Sequence, residues 1–286
     1  MVQEKIRQLI TNKIKTLPTL PNIIQKVVAL AQDEKTSARD LCKLISYDQA
    51  ISFKLLKIAN SAYYGFLREV STIQHAIVIL GFDEVKRISL GIAVVDLMKM
   101  TDDESPLNWE EFWKHSVGCS LAASIICKKV SSNAEIASTA SLLHDIGKLV
   151  LNNFYTSEYR KVLEKTEVEE TSVVEVEKKM LGFTHADVGM WLSNKWKLPP
   201  SLTFPIAYHH QVGEVDQEYL LLTSIIHLAD MLCKKAGIGH SGDTTIPHLQ
   251  ESANKCLCIK EEDIERMIGE IQKEEEKTQA FINSIL

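Results

Sequence analysis

Five histidines and three carboxylates run in a fixed order along this chain: Glu111, His115, His144, Asp145, His185, His209, His210 and Asp230. Imidazole and carboxylate donors in that number are what a pair of first-row transition metal ions needs to activate water. Taken singly, each is weak. A lone histidine on a half-buried helix is usually an ordinary core or surface residue, and the argument rests on the ordered set.

The pieces sit on readable local patterns. Glu111 and His115 are four residues apart on an expected helix, so they share a face. His144 and Asp145 lie in SLLHDIGKL, at the C-terminal end of an apolar helix. His185 falls at a helix start in GFTHADVG, His209 and His210 close SLTFPIAYHH, and Asp230 lies mid-helix in IIHLADML. A carboxylate such as Asp145 can bridge two cations. The set supports two ions, and a third if Glu111 joins. It holds no thiolate, which favours iron or manganese over a structural zinc. Ordinary readings stand beside these. Glu111 is also the natural N3 partner of an Asn108 cap. Asp230 can pair with Lys234, one turn on, or be oriented by His227. His75, His227, His240 and His248 read as ordinary histidines, the orienting role of His227 being its second reading.

The elements that must position these groups are helical. Gly (12) and Pro (7) are scarce and 45% of residues are hydrophobic, enough for a sizeable core in 286 residues. Periodic apolar stripes predict helices over 22–31 (Ile23, Val27, Leu30, with Pro18 and Pro21 ahead of it), 48–60, 72–80 before Gly81, and 83–100. They resume over 109–130, 134–151, 157–166, 172–181, 185–196, 201–210, 217–236 and 261–284, with Ser172 and Glu175 spaced as a capping box. The fold class is all-α. TDDESPLN (101–108) reads as a linker, dividing an N-terminal helical subdomain, 1–105, from a metal-binding helical subdomain, 106–286. GIGHSGDTTIP (237–247) reads as a mobile loop.

Composition excludes other classes. A formal net charge of −6 offers no basic face for general nucleic-acid binding, though a small phosphate pocket is compatible with it. No apolar run approaches the ~20 residues a membrane span needs. The polar N-terminus reads as an amphipathic helix, not a signal peptide. The six cysteines (Cys42, Cys119, Cys127, Cys233, Cys256, Cys258) are dispersed, with no C-x-x-C pair, and read as buried structural thiols of a cytoplasmic protein.

The order His115, His144–Asp145, Asp230 resembles the HD superfamily of metal-dependent phosphohydrolases. His185 and His209–His210 are similar to the HD-GYP branch, which holds two or three metals and hydrolyses cyclic-di-GMP; there Glu111 matches a third-metal ligand. Lys148 matches the lysine of the HDxGK segment. After His210 the chain reads QVGEVDQEYL, so the GYP element is missing. Residues 17–30 (LPTLPNIIQKVVAL), 54–65 (KLLKIANSAYYG) and 71–91 resemble the HDOD domain, a bacterial signalling relative of the HD fold, with Asn60-Ser61-Ala62 and Ala76…Leu80-Gly81 its clearest marks. That resemblance covers about residues 15–235. It implies a helical bundle of the HD type with an N-terminal helical subdomain. It also implies phosphoester hydrolysis, with Asp145 at the metals and Lys148 on a phosphate oxygen of a nucleotide or other phosphate ester. Two further readings are a non-catalytic signalling module with a structural or sensory metal and protein partners, and an oxygen-using di-iron enzyme.

Overall fold

Few breakers and long apolar stripes make helix the dominant structure of the described residues. The computed structural model describes residues 37–46, 48–61, 64, 69–98, 105–132, 134–276 and 279, and no strand occurs among them. The expected N-terminal amphipathic helix, the 22–31 helix with its prolines, residues 101–104 of the linker, Ala62 and the end of the last expected helix lie outside the described residues. The described residues gather into two compact units, 37–98 in one and 105–273 in the other.

In the 37–98 unit, α1 (Ala38–Ser46), α2 (Gln49–Ala59), α3 (Ile73–Leu80) and α4 (Phe82–Met98) pack on one another. Leu41, Ile45, Leu55, Ile58 and Ala76 are fully buried. Asp48 caps α2 by accepting the Ile51 amide at 3.0 Å, and Thr72 caps α3 through the His75 amide at 3.1 Å. Asn60 pins the segment after α2. Its Nδ2 donates to the Val70 carbonyl at 2.8 Å and its Oδ1 accepts the Val70 amide at 2.7 Å. An aspartate could not make both bonds.

The 105–273 unit contains α5 (Trp109–Val130), α6 (Ala134–Leu143), α7 (Ile146–Phe154), α8 (Thr156–Glu169) and α9 (Val173–Leu181). It continues with α10 (His185–Lys195), α11 (Pro200–Tyr208), α12 (Leu220–Ala236), α13 (Glu251–Leu257) and α14 (Glu261–Lys273). Small residues on α5 (Cys119, Ala122, Ala123) meet Leu228, Ala229 and Leu232 of α12, which lets the two long helices lie side by side at the centre of the core.

Two expectations need correction here. The single helix expected over 134–151 is two helices, with His144 and Asp145 in the turn between α6 and α7. Asp145 has φ −94° and ψ 11°, the bridge region of backbone space. The break turns the chain so that neighbouring side chains can serve adjoining points. The Ser172 capping box does not form, because Glu175 accepts from Thr171 Oγ1 at 2.7 Å and Ser172 makes no side-chain cap bond.

Two glycines set close backbone approaches. A Cβ on Gly147 would lie 1.9 Å from the His185 carbonyl oxygen, so α7 and the start of α10 touch main chain to main chain. Gly239 has φ +67°, and a Cβ there would lie 2.2 Å from the His115 amide nitrogen.

Candidate metal centre

Each ligand candidate is delivered by a local feature. Asn108 caps α5 by accepting the Glu111 amide at 3.1 Å, starting the helix that carries His115 and Cys119 one turn apart. Thr184 and Asp187 form a reciprocal capping box at the start of α10, fixing His185 at its first position. Glu177, fully buried on α9, accepts both the amide and the Nδ1–H of His185 at 2.8 Å. His209 caps the end of α11 and donates Nδ1–H to the Ile206 carbonyl at 2.8 Å; His144 does the same to Ser141 at 2.7 Å. A ring whose Nδ1 is bound in this way presents a bare Nε2 lone pair.

The structure brings seven of the eight sequence-derived candidates into one buried region, in two adjoining groups. His115, Cys119, His144 and Asp230 form one, and Asp145, His185, His209 and His210 the other; within each, one ligand atom per residue lies within 4.8 Å of the rest. In the first group His115 Nε2 is 3.1 Å from Asp230 Oδ1 and 3.4 Å from Cys119 Sγ, and His144 Nε2 is 3.8 Å from Asp230 Oδ1. In the second, His185 Nε2 is 3.1 Å and His209 Nε2 3.7 Å from Asp145 Oδ1, with the Nε2 atoms of His185 and His210 3.0 Å apart. The groups meet where His144 Nε2 stands 3.4 Å from Asp145 Oδ2. His210 alone of the eight members is half-buried; the others are buried.

The pattern of unmet hydrogen bonds tests whether these residues fit a cation. His144 Nε2, His209 Nε2 and both Asp145 carboxylate oxygens are buried without a hydrogen-bond partner. Asp145 has basic groups at ion-pair distance, but none in hydrogen-bond geometry. Orphaned buried polar atoms are costly in a folded protein. Four that converge from three helix ends have the donor chemistry of a divalent metal site, and the residues fit one.

Charge is balanced around the two aspartates. Lys148, fully buried, places Nζ 2.9 Å from Asp145 Oδ2, and Lys234 places Nζ 2.9 Å from Asp230 Oδ2. Burial pushes both carboxyls up, but His144 and Lys148 at Asp145, and Lys234 and His115 at Asp230, outweigh it and hold them well below the usual carboxylate range. Burial takes His209 down to about 4. It opposes charge on His115 and His185 too. There Cys119 and Asp230 raise His115 to about 10, and Glu177 and Asp145 raise His185 to about 9.

Other placements depart from expectation. Glu111 belongs to neither group; its amide takes the Asn108 cap and its carbonyl accepts from the His240 amide at 3.0 Å. His227 does not orient Asp230. It donates Nδ1–H to the His209 carbonyl at 2.9 Å and so holds the His209–His210 turn. Segment 237–247 is not the free loop its Gly, Ser and Thr content predicts. Ser241 is buried in it, and the Asp243 side chain is only 4% exposed. Asp243 Oδ2 accepts from Lys234 at 2.8 Å and Lys148 at 3.3 Å, and its Oδ1 takes the Val173 amide at 3.0 Å. Sequence reasoning missed Cys119, Glu177, Lys148's partner Ser241, and Asp243. Only Cys119 carried a usable signal, its four-residue spacing from His115.

Among the described residues no helix is long and apolar enough to cross a membrane. The chain superposes over its full length on 98% of an HDOD domain protein of unknown function from Geobacter sulfurreducens, with a TM-score of 0.83 and 24% identity. A proposed phosphohydrolase from Shewanella amazonensis SB2B matches 97% of this chain with 98% of its own, at a TM-score of 0.77 and 21% identity. An uncharacterized protein of Treponema pallidum (strain Nichols) is 26% identical over 79% of the chain, and the chain spans less than half of that relative, 44%. The HDOD domain model matches residues 17–212, over two thirds of the chain, and with this helical fold around it the chain belongs to the HDOD domain family.

Proposed function

We propose that the chain is a metal-dependent phosphohydrolase of a small nucleotide or phosphate ester that works in bacterial signalling. One observation carries the reading: the orphaned atoms of His144, His209 and Asp145 converge beside a buried Lys148. His115, His144 and Asp230 would hold one ion, and His185, His209 and His210 the other, with Asp145 between them. Two ions of the iron or manganese class would supply an acidified water and a clamp for phosphate oxygens.

The chain's own groups do the rest. Asp145 orients the water while Lys148 keeps that carboxylate ionised and offers Nζ–H to the charge that grows on a phosphate oxygen. Glu177 and the carbonyls of Ser141 and Ile206 hold the imidazole tautomers. The phosphohydrolase description of the Shewanella relative and the superfamily resemblance support the same class. In this reading residues 106–286 carry the chemistry, the N-terminal part, 1–105, meets protein partners, and the chain works in the cytoplasm. The missing GYP element leaves cyclic-di-GMP without a special claim among substrates. Purified protein is assayed for metal content, then for phosphate release with Mn²⁺ or Fe²⁺ over a panel of nucleotides and phosphate esters. Turnover that disappears in Asp145→Ala supports the proposal.

A second reading is favoured by burial. His115, His185 and His209 have no exposed surface, which suits a structural or sensory metal in a non-catalytic signalling module. Stoichiometric metal with no turnover across the whole panel decides for it.

A further inference from the structure

The geometry points to Cys119 as a thiolate ligand of the first ion, making that position a zinc-class His₂-Asp-Cys site beside an all-nitrogen-and-oxygen second position. This rests on the proposed metal centre and deepens it. Cys119 Sγ is 3.4 Å from His115 Nε2, and that nitrogen is 3.1 Å from Asp230 Oδ1. Bonds of about 2.3 Å to sulfur and about 2.0–2.1 Å to nitrogen or oxygen separate the ligand atoms of a tetrahedral ion by about 3.3–3.6 Å. Three separations within this group, 3.1, 3.4 and 3.8 Å, bracket that range, and all four ligand atoms lie within 4.8 Å of one another. His144 Nε2, buried and without a partner, independently marks the same point as one that wants a cation.

The alternative thiol is already engaged. Cys233 Sγ donates to the Ile238 carbonyl at 3.3 Å and lies 3.6 Å from the His115 carbonyl, in the packing seam between α5 and α12. Cys119 faces the ring nitrogens of His115 instead. On coordination the Cys119 thiol gives its proton to solvent and its sulfur lone pair to the ion; no oxidant or reductant is involved. A soft thiolate selects zinc, ferrous iron or cobalt over manganese and magnesium. The second group, Asp145 with three histidines, has no such bias. Four protein donors leave a tetrahedral first ion without an open position. The second group also supplies four donors, but without a thiolate it suits a six-coordinate ion of the iron or manganese class, which keeps positions for water on the side of half-buried His210.

The test is cobalt substitution in the chelated full chain, read by absorption rather than turnover. Two Co²⁺ per chain with a near-ultraviolet sulfur-to-cobalt charge-transfer band are expected. That band should vanish in Cys119→Ser, persist in Cys233→Ser, and zinc affinity in Cys119→Ser should fall by about tenfold or more while manganese affinity holds. Cobalt bound without the band, or a band that Cys233→Ser removes and Cys119→Ser keeps, overturns the thiolate assignment and leaves the metal centre standing. Failure of wild-type protein to bind cobalt at all sinks both. Circular dichroism of each variant shows that the fold is intact.

Discussion

His115, Cys119 and Asp230 lie in interior turns of the long helices α5 and α12, where the hydrogen-bond ladder of each helix fixes their spacing. Asp145, His185, His209 and His210 lie at helix ends or in a turn. Helix ends have no ladder to hold them, so other groups must. The capping box of Thr184 and Asp187, Glu177 on His185, and His227 on the His209 carbonyl do this work. The lesson is that the first group, His144 in its turn excepted, is held by its own secondary structure, and the second by side chains that never touch an ion.

Asp145→Ala should break both halves at once, because this residue stands between them. Phosphate release is expected to fall about a thousandfold or more, and elemental analysis should find fewer than two ions per chain. Lys234→Ala strikes only the first group. It leaves Asp230 and Asp243 buried with a lost partner, and denaturant unfolding of metal-free protein should show a loss of about 3–5 kcal/mol. A change under about 1 kcal/mol would mean that the two aspartates are solvated by other means.

Glu177→Gln sharpens the contrast from the other side. It should weaken one ion by about 10–100-fold, measured by chelator competition, and leave the other unchanged; equal weakening of both would erase the distinction. Acidity separates the groups too. His185 and His115 must be neutral to ligate, yet without metal their pKa values are raised to about 9 and about 10. Metal binding therefore expels a proton from each. Affinity should climb with pH, by up to about tenfold per unit per proton, levelling near 9 for the second ion; the first ion, which also displaces the proton of the buried Cys119 thiol, should keep climbing beyond that. His209, at about 4, is already neutral over that range and has no such proton to lose. The smallest effect belongs to the helix cap. Asn108→Ala should cost about 1 kcal/mol in thermal unfolding, and Glu111→Gln should leave the metal count at its wild-type value.

Much of this was legible in sequence. Helical periodicity marked α5, α10 and α12, and the order of His115, His144–Asp145, His185, His209–His210 and Asp230 marked what converges. The rest depends on tertiary context. A buried cysteine looks alike whether it packs or ligates, and Cys119 was assigned to packing. Glu177 sits in VVEVEKKML among charges that usually face water, and only the fold carries it under His185. Asp243 hides in a segment whose small polar residues predict mobility; buried Lys148 and half-buried Lys234 hold it in place. The break at His144–Asp145 has no proline to announce it, and Gly147, two residues on, lies inside the helix that follows.

Gly147 gives the centre one edge that cannot give way. The backbone of α7 rests against the carbonyl of His185, so the main-chain spacing beneath Asp145 and His185 is set with no side chain between them. A methyl group at position 147 would wedge those two stretches of backbone apart, and the size of ion that the second group accepts should shift with it.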